Sequence, residues 1–176
     1  MALCIERAQL TDLDDLVRLE QLCFPTPWTR DSFRRELSRD DDVAVYLVAR
    51  GEGEVVGYAG MWVMVDEAHV ATIGVHPDQR RRGIGERLLV RLLSEAVRRG
   101  ADRVFLEFRR SNRAAQELYA KYGFVEVGVR RSYYMDKSGN VEDAIVAEAT
   151  GLQGPALREQ VGRWERELAA EPADPA

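Results

Sequence analysis

The 176-residue sequence is poor in cysteine and histidine and contains no long apolar run. Its two cysteines, Cys4 and Cys23, lack the spacing of a metal site, so a cytosolic protein with reduced thiols is the simplest interpretation. No apolar segment approaches the length of a membrane span, and the first residues lack the basic and apolar regions of a signal peptide. We therefore expect one cytoplasmic domain with no metal site and no membrane contact.

Acidic residues are scarce in the middle of the chain. Residues 79–131 hold 14 Lys and Arg against 6 Asp and Glu, a net +8, which leaves −13 for the rest of a chain whose total is −5. A basic middle in an acidic protein indicates a local anion site rather than a nucleic-acid coat, so no direct nucleic-acid contact is expected.

The apolar patterns divide the chain into the order β-α-α-β-β-β-α-β-α-β-β, which predicts a mixed α/β sheet with helices on both faces. Thr11 and Thr29 are the expected N-caps of the first two helices. Residues 69–75 form the predicted fourth strand, and Tyr133-Tyr134 connects the last two strands. The domain is expected to span 1–149. A stripe of apolar residues in 150–176 predicts a C-terminal amphipathic helix, which packs on its own domain or binds a partner, and a loose tail from Glu171.

The segment Gln79–Gly85 places three arginines beside two glycines, directly before the amphipathic helix predicted at 84–99. A helix start presents free backbone N–H groups and the positive end of the helix dipole, so this segment predicts a phosphate site. It lacks the Lys-Ser/Thr of a Walker loop and the spacing of the dinucleotide fingerprint. A ligand with a pyrophosphate but no metal chemistry fits better.

The residues Ile73-Gly74-Val75-His76-Pro77, followed by Arg80-Arg81-Arg82-Gly83-Ile84-Gly85, resemble the acetyl-CoA signature of the GCN5-related N-acetyltransferases, the GNAT family. The family motif is Q/R-x-x-G-x-G/A. A second block, 106–112 with Leu118-Tyr119 and Tyr122-Gly123-Phe124, resembles the bacterial RimI-type branch, which acetylates the N-terminal alanine of a small-subunit ribosomal protein. The resemblance spans about 3–149. Thr26 and Pro27 separate Pro25 from Trp28, where that branch can have Phe-Pro-Trp.

The resemblance implies the acyl-CoA N-acyltransferase fold, acetyl-CoA as the acetyl donor, and a monomer or weak dimer that acts on a protein N-terminus, that of a ribosomal protein in particular. Gly74 is expected to permit a bulge, and the Val75 N–H is expected to contact the thioester oxygen. The implied cofactor contacts are Ile73, Gly74, Val75, Arg80, Arg81, Arg82, Gly83, Ile84, Gly85, Glu86 and Asn112. Asn112 is equally a helix cap.

Two residues are expected to carry the reaction. Glu107 is an acid in an otherwise apolar strand, so we expect a shielded carboxylate with a raised pKa that removes a proton through water. Its alternative role is an ion pair with Arg109 or Arg130. Tyr119, with the resemblance, is interpreted as the general acid for the leaving thiolate; without it, a core tyrosine is the simpler interpretation.

Substrate contacts are predicted less sharply. Trp28, Tyr133 and Tyr134 either wall a peptide groove or belong to the aromatic core, and Glu67 either faces the substrate amine or is a solvated strand end. His69 and His76 are interpreted as structural. Three functions stay open: N-terminal acetylation, acetylation of a Lys side chain or small amine, and a non-enzymatic acetyl-CoA sensor.

Overall fold

The computed structural model describes residues 3–39 and 41–170. The strands are β1 (Leu3–Arg7), β2 (Ala44–Gly51), β3 (Glu54–Met64), β4 (Glu67–Val75), β5 (Arg103–Arg109), β6 (Val125–Met135) and β7 (Val141–Thr150). The α-helices are α1 (Leu13–Cys23), α2 (Arg30–Leu37), α3 (Ile84–Arg98), α4 (Arg113–Lys121) and α5 (Pro155–Ala170). The predicted mixed α/β fold and element order are therefore confirmed. The predicted tail from Glu171 lies outside the described residues.

One seven-stranded sheet runs in the order β1-β2-β3-β4-β5-β7-β6. Its neighbouring strands are antiparallel except for β4 and β5, which are parallel and are connected through α3. A parallel pair needs a crossover connection, and the helix supplies it. The helix thus begins where β4 ends, which places its N-terminus at one end of the sheet.

Two apolar clusters cover the two faces of the sheet. Alternate residues of β2 explain this division: Val45 and Leu47 face the cluster that includes α3 and α5, whereas Tyr46 and Val48 face the cluster that includes α1 and α2. Because side chains alternate across a strand, a strand covered on both faces is apolar throughout. The sheet therefore lies between two helical layers.

The C-terminal helix packs on its own domain. Val161 is 2% exposed, and Leu157, Trp164 and Leu168 pack against the cluster that contains α3. Arg91 and Ser94 of α3 both contact the Glu165 carboxylate, at 2.6 Å each. The apolar stripe predicted from the sequence is thus the inner face of α5.

Four local predictions are corrected. Thr11 does not cap α1: the Gln9 N–H donates to the Asp12 carboxylate at 2.8 Å, and a 3₁₀ turn precedes the helix. β4 begins at Glu67 rather than at residue 69, and Tyr133-Tyr134 lies inside β6. Thr29 does cap α2, since its hydroxyl accepts from the Ser32 N–H.

The fourth correction concerns the bulge in β4. Gly60 pairs with Thr72 and Met61 with Val70, so the extra residue is Ala71 and not Gly74. Gly74 is instead required for packing, because a Cβ there would lie 2.4 Å from Cε1 of the buried Tyr58 ring. The glycine lets the tyrosine lie directly against the strand.

Candidate active site

β4 and β5 separate partway along the sheet. Their parallel pairing runs from Glu67 with Arg103 to Val70 with Leu106, and it stops there. β4 continues against β3 as far as Val75, and β5 continues against β7 as far as Arg109. A cleft therefore opens between the two strands beyond the Ala71 bulge, as expected for a bulge that redirects a strand.

The backbone of β4 offers hydrogen-bonding groups to this cleft. The His76 N–H donates to the Val56 carbonyl of β3 at 2.9 Å. Because successive residues of a strand point their N–H and C=O groups to opposite sides, the groups of Val75 and Ile73 point toward the cleft. The Val75 carbonyl is contacted there by Cys23 Sγ and Arg80 Nε, at 3.3 Å each.

The loop after β4 leads into α3 in an anion-binding conformation. Gly83 is the N-cap with φ 73°, and Arg81 also has a positive φ, 63°. A positive φ in a non-glycine residue is strained, and such strain is often found at functional sites. The first turn of α3 leaves the N–H groups of Ile84, Gly85 and Glu86 without an intrahelical acceptor.

The side chains around this loop fit a phosphate. Among residues 3–39 and 41–170, a Cβ at Gly83 would meet only Arg87 Nε, at 4.0 Å, so the loop is open on the side of the glycine. Arg81 is exposed and Arg82 half-buried, which leaves two cations at the dipole's positive end. Glu86 turns away: its carboxylate contacts Lys121 Nζ at 2.5 Å and the Tyr122 hydroxyl at 2.7 Å.

A cavity of about 530 Å³ lies in the cleft, on the side of α1. Side chains from both halves of the chain line it, including both predicted catalytic residues and three of the four predicted substrate contacts. The lining residues used below are Glu20, Cys23, Trp28, Trp62, His69, Glu107, Asn112, Tyr119, Tyr133 and Tyr134. Of the predicted cofactor residues, Ile73 and Asn112 reach this cavity.

Glu107 lies where the cleft begins, one residue beyond the last β4–β5 pair. Its side chain is 6% exposed, with Oε2 2.6 Å from His69 Nε2 and Oε1 2.9 Å from Arg130 Nη2. The hydrogen bond from His69 and the charges of His69 and Arg130 hold the pKa of Glu107 below its usual value, against the effect of burial. The prediction of a raised pKa is therefore wrong, because two partners outweigh desolvation.

Tyr119 projects from α4 and packs between two aromatic rings, Phe108 at 5.4 Å and Phe124 at 5.8 Å between centroids. Its hydroxyl has no hydrogen-bond partner among residues 3–39 and 41–170. Burial raises the pKa of Tyr119, so the phenol stays protonated at neutral pH. Asn112 caps α4, where its side-chain oxygen accepts from the Ala115 N–H at 3.1 Å.

The mouth of the cavity is aromatic. Trp28 stacks on Trp62 with 6.0 Å between ring centroids, on the side of α1 and α2. On the side of β6, Arg109 lies 4.4 Å over the Tyr134 ring, and burial raises the pKa of Tyr134 to about 12. Tyr133 is half exposed beside it. The three predicted aromatic residues, Trp28, Tyr133 and Tyr134, all line the cavity.

Glu67 is the predicted substrate residue that the structure does not bring to the cavity. It lies at the start of β4 and pairs with Arg103 at 2.9 Å, at the far end from the cleft. His76 likewise lies outside the cavity and accepts from the Asp78 N–H in the turn after β4.

Three residues that line the cavity were not predicted from the sequence as site residues: Glu20, Trp62 and His69. Of these, His69 contacts Glu107. Glu20 is 3% exposed; its carboxylate accepts from the Tyr58 hydroxyl and from the Trp28 N–H, the latter at 3.0 Å. Burial raises the pKa of Glu20. A signal for it was present, since position 20 falls on the apolar face of α1, four residues after Leu16.

Among the described residues no group of three His, Cys, Asp or Glu side chains is placed to hold a metal ion. Within the same part of the chain, no helix has the length and apolarity to cross a membrane.

A parallel strand pair that separates beside a glycine-led helix start places an anion site next to a cleft with a carboxylate at its inner end, which is the layout of an enzyme with an anionic ligand. The family model of the acetyltransferase (GNAT) family matches residues 13–124. The chain belongs to the GNAT acetyltransferase family, and it is an N-acetyltransferase of that family.

Its relatives include a putative [ribosomal protein bS18]-alanine N-acetyltransferase of Bacillus subtilis, 36% identical over 83% of this chain and 94% of the relative. The [ribosomal protein bS18]-alanine N-acetyltransferase of Escherichia coli K12 is 35% identical over 81% of this chain and 93% of its own. A crystal structure of the Escherichia coli enzyme superposes with a TM-score of 0.77 at 33% identity, covering 85% of this chain and 94% of that one.

Proposed function

We propose that this protein transfers an acetyl group from acetyl-CoA to the N-terminal α-amine of a protein, by direct attack of the amine in a ternary complex. The observation that carries the proposal is the cleft between β4 and β5 with Glu107 at its inner end. Relatives at 35–36% identity are named for acetylation of the alanine terminus of ribosomal protein bS18, which makes an N-terminal alanine the first substrate to test.

The donor site follows from the backbone of β4 and the loop after it. Acetyl-CoA supplies a thioester on a pantetheine arm that ends in a pyrophosphate. Ile73 and Val75 offer cleft-facing N–H and C=O groups that suit an extended arm, with Gly74 between them. The loop Arg80–Gly85 and the first turn of α3 offer N–H groups and cations to the pyrophosphate.

The Val75 N–H is the proposed donor to the thioester oxygen. It faces the cleft on the same side as the Val75 carbonyl, which Cys23 and Arg80 hold in place. A fixed N–H group aimed at a developing negative charge stabilises it without reorganisation. Asn112, at the start of α4, has its side-chain amide nitrogen available for the pantetheine arm while its oxygen caps the helix.

Proton transfer is assigned to the two groups that the cavity brings together. Glu107 is ionised at neutral pH and draws a proton from the substrate ammonium through water, which produces the nucleophilic amine. Tyr119 is protonated and gives its proton to the departing thiolate. The phenol lines the cavity and has no competing partner among the described residues, so its O–H is free for this role.

The acceptor site is the aromatic mouth of the cavity. Trp28, Tyr133 and Tyr134 surround the opening and suit an extended peptide that enters with its amino group first. The loop that carries Trp28 holds the additional Thr26-Pro27, so the preference for the second and third peptide residues is expected to differ from that of the relatives.

The test is a peptide panel assayed for CoA release and for the mass of the product. Peptides with N-terminal Ala, Ser and Met are compared with an N-terminally blocked peptide that contains an internal Lys, and with spermidine. We expect transfer to the free N-terminus, with Ala preferred. Transfer only to Lys or to spermidine would favour the side-chain or small-amine alternative, and binding of acetyl-CoA without CoA release from any amine would favour a sensor.

A further inference from the structure

Two adjacent tyrosines of β6 line the same cavity. Tyr133 and Tyr134 both reach it, and their rings meet edge to face with 5.1 Å between centroids. In a regular strand, successive side chains point to opposite faces of the sheet, so two neighbours would not share one cavity. The strand is therefore irregular where these tyrosines lie.

The irregularity is a bulge of β6 against β7. Arg130 and Tyr134 each have a partner on β7, and the three residues between them lie opposite Asp143 alone. Ser132, in the middle of this bulge, has φ 51°. A positive φ is strained for a serine, and it persists only where the surrounding contacts hold it.

Asp143 supplies such a contact. Its side-chain Oδ1 accepts the Ser132 N–H at 2.9 Å, and its carbonyl accepts the Arg110 N–H at 3.2 Å. The first hydrogen bond fixes the strained residue, and the second connects β7 to the loop between β5 and α4. A hydrogen bond to a carboxylate is stronger than one to a neutral acceptor, so it offsets the strain at Ser132.

Two arginines contact the tyrosine rings. The Arg109 guanidinium lies 4.4 Å over the Tyr134 ring, and that of Arg130 lies 5.5 Å from the centre of the Tyr133 ring. Arg130 also pairs with Glu107 at 2.9 Å. The two rings therefore have a defined position relative to the carboxylate at the inner end of the cleft.

We infer that Asp143 is a positioning residue for the acceptor peptide, because it holds the bulge that directs both Tyr133 and Tyr134 to the cavity. This inference rests on the proposed function and refines it. Asp143 is not among the described residues that line the cavity, so it acts through the two rings. Without its carboxylate, the strain at Ser132 favours a regular strand, in which Tyr133 points to the opposite face of the sheet. Peptide binding is then weakened, while the donor site and the proton-transfer groups stay intact.

The kinetic test compares Asp143→Ala, Asp143→Asn and the wild type with an N-terminal Ala peptide. Ala removes the acceptor for the Ser132 N–H, whereas Asn keeps an oxygen at that place. We expect Asp143→Ala to raise KM for the peptide at least about 10-fold, the size of one hydrogen bond to a charged group, with kcat and KM for acetyl-CoA within about twofold. Asp143→Asn should restore most of the peptide affinity. An Asp143→Ala variant with the wild-type KM for the peptide would overturn the inference.

Asp136 offers a matched control in the same hairpin. Its carboxylate accepts the Ser138 and Asn140 N–H groups at 2.8 and 2.9 Å, in the turn between β6 and β7. Asp136→Ala therefore removes hydrogen bonds of the same kind without changing the bulge. It is expected to lower the Tm and to leave KM for the peptide unchanged. If both alanine variants raise this KM equally, Asp143 acts only through the stability of the hairpin, and the inference is wrong.

Ser132 gives independent access to the bulge. Gly adopts a positive φ without strain, whereas the β-branched Val strongly disfavours it, and both keep the N–H group. Ser132→Val is expected to reproduce the KM change of Asp143→Ala, and Ser132→Gly to avoid it. Because Ser132→Val and Asp143→Ala disrupt one feature, their combined effect on KM should be smaller than the product of the single effects. A Ser132→Val variant with the wild-type KM would contradict the role of the bulge.

A measurement without turnover distinguishes failure of this inference from failure of the proposed function. The contact between the Tyr133 and Tyr134 rings gives NOEs between their ring protons, which we expect in the wild type and in Asp143→Asn but not in Asp143→Ala. NOEs that persist in Asp143→Ala would refute the inference even if acetyl transfer is observed. If the wild type acetylates no amine, the proposed function fails, and this inference fails with it.

Discussion

Single residues in the cavity owe their properties to neighbours that come from distant parts of the chain. Glu107 is held ionised by His69 of β4 and Arg130 of β6, and Tyr119 is kept protonated by burial against Phe108 and Phe124. Both groups therefore carry the protonation state that their proposed roles need at neutral pH. This pairing of a charged acceptor with a neutral donor is typical of acid–base sites.

Glu107→Gln tests the carboxylate. Because Gln carries no negative charge, we expect kcat/KM to fall at least about 100-fold with KM for acetyl-CoA nearly unchanged. The lowered pKa of Glu107 means that the wild-type carboxylate stays charged down to pH below its usual range, so the loss is expected throughout pH 6 to 9. Glu159→Gln on the exposed face of α5 is the matched control. Full activity of Glu107→Gln would remove the residue from the mechanism.

Tyr119→Phe removes the proposed proton donor and little else, since the phenol oxygen has no partner in the described part of the chain. Slower departure of the thiolate is expected to lower kcat by about 10- to 100-fold, with thermal stability close to that of the wild type. Tyr46→Phe is the matched control, because the Tyr46 hydroxyl also has no partner among the described residues but lies outside the cavity. Steady-state kinetics of both variants decide between a catalytic and a packing role.

The raised pKa of Glu20 predicts that the stability of the folded protein depends on pH. Burial raises its pKa in the folded protein, so its contribution is fully favourable below the unfolded value and is lost as pH rises through the folded value. Glu20→Gln keeps acceptors for the Trp28 N–H and removes this charge. We expect its Tm relative to the wild type to increase from pH 4 to pH 7, by calorimetry. Glu54→Gln, at an exposed position, should show no such trend.

At the scale of elements, the short helix α2 depends on its N-cap and on one buried side chain. α2 has eight residues, and Thr29 accepts from the Ser32 N–H at 3.1 Å to cap it. The Phe33 ring of α2 is fully buried against Trp28 and Tyr58, so the helix also positions the cavity mouth. A helix this short gains little from propensity and relies on its cap and its buried face.

Thr29→Ala is expected to lower the free energy of unfolding by about 1 kcal/mol, because Ala leaves the Ser32 N–H without its cap. Thr29→Ser retains the hydroxyl and should stay within a few tenths of the wild type. Urea unfolding of the three proteins measures the difference. If Ala and Ser behave alike, the cap contributes nothing and packing of Phe33 alone holds α2 in place.

For the whole molecule, α5 closes the outer face of α3, whose first turn belongs to the proposed pyrophosphate site. Trp164 packs edge-on against Tyr122 at 4.8 Å, and Arg87 of α3 donates to the Leu168 carbonyl. Leu152, 1% exposed, leads from β7 into this helix. The C-terminal segment is thus part of the same apolar core as the sheet.

Truncation after Gly151 would expose the apolar face of α3 and remove Leu152. A buried leucine removed alone costs about 2–5 kcal/mol, so the truncated chain is expected to have a markedly lower Tm and to bind a hydrophobic dye. Leu152→Ala on the full chain is the milder comparison, and Glu159→Gln is the control. A truncated protein as stable as the full chain would mean that α5 is dispensable to the core.

Most of the fold could be predicted from periodic apolar residues and from helix-capping positions in the sequence. The β2 run, the α3 stripe and the cap at Thr29 are local signals, because burial on a face and capping depend on residues within a few positions of each other. The anion site at Gln79–Gly85 could also be predicted, since glycines and cations directly before a helix indicate such a site without tertiary information.

The state of Glu107 was decided only by the tertiary structure. The sequence placed an acid in an apolar strand and predicted a raised pKa, but His69 and Arg130 reach that carboxylate from positions 38 residues before it and 23 after it. The Ala71 bulge could not be predicted for the same reason. Strand register and long-range pairing bring distant residues together, and the electrostatic balance at a site depends on those partners more than on its own strand.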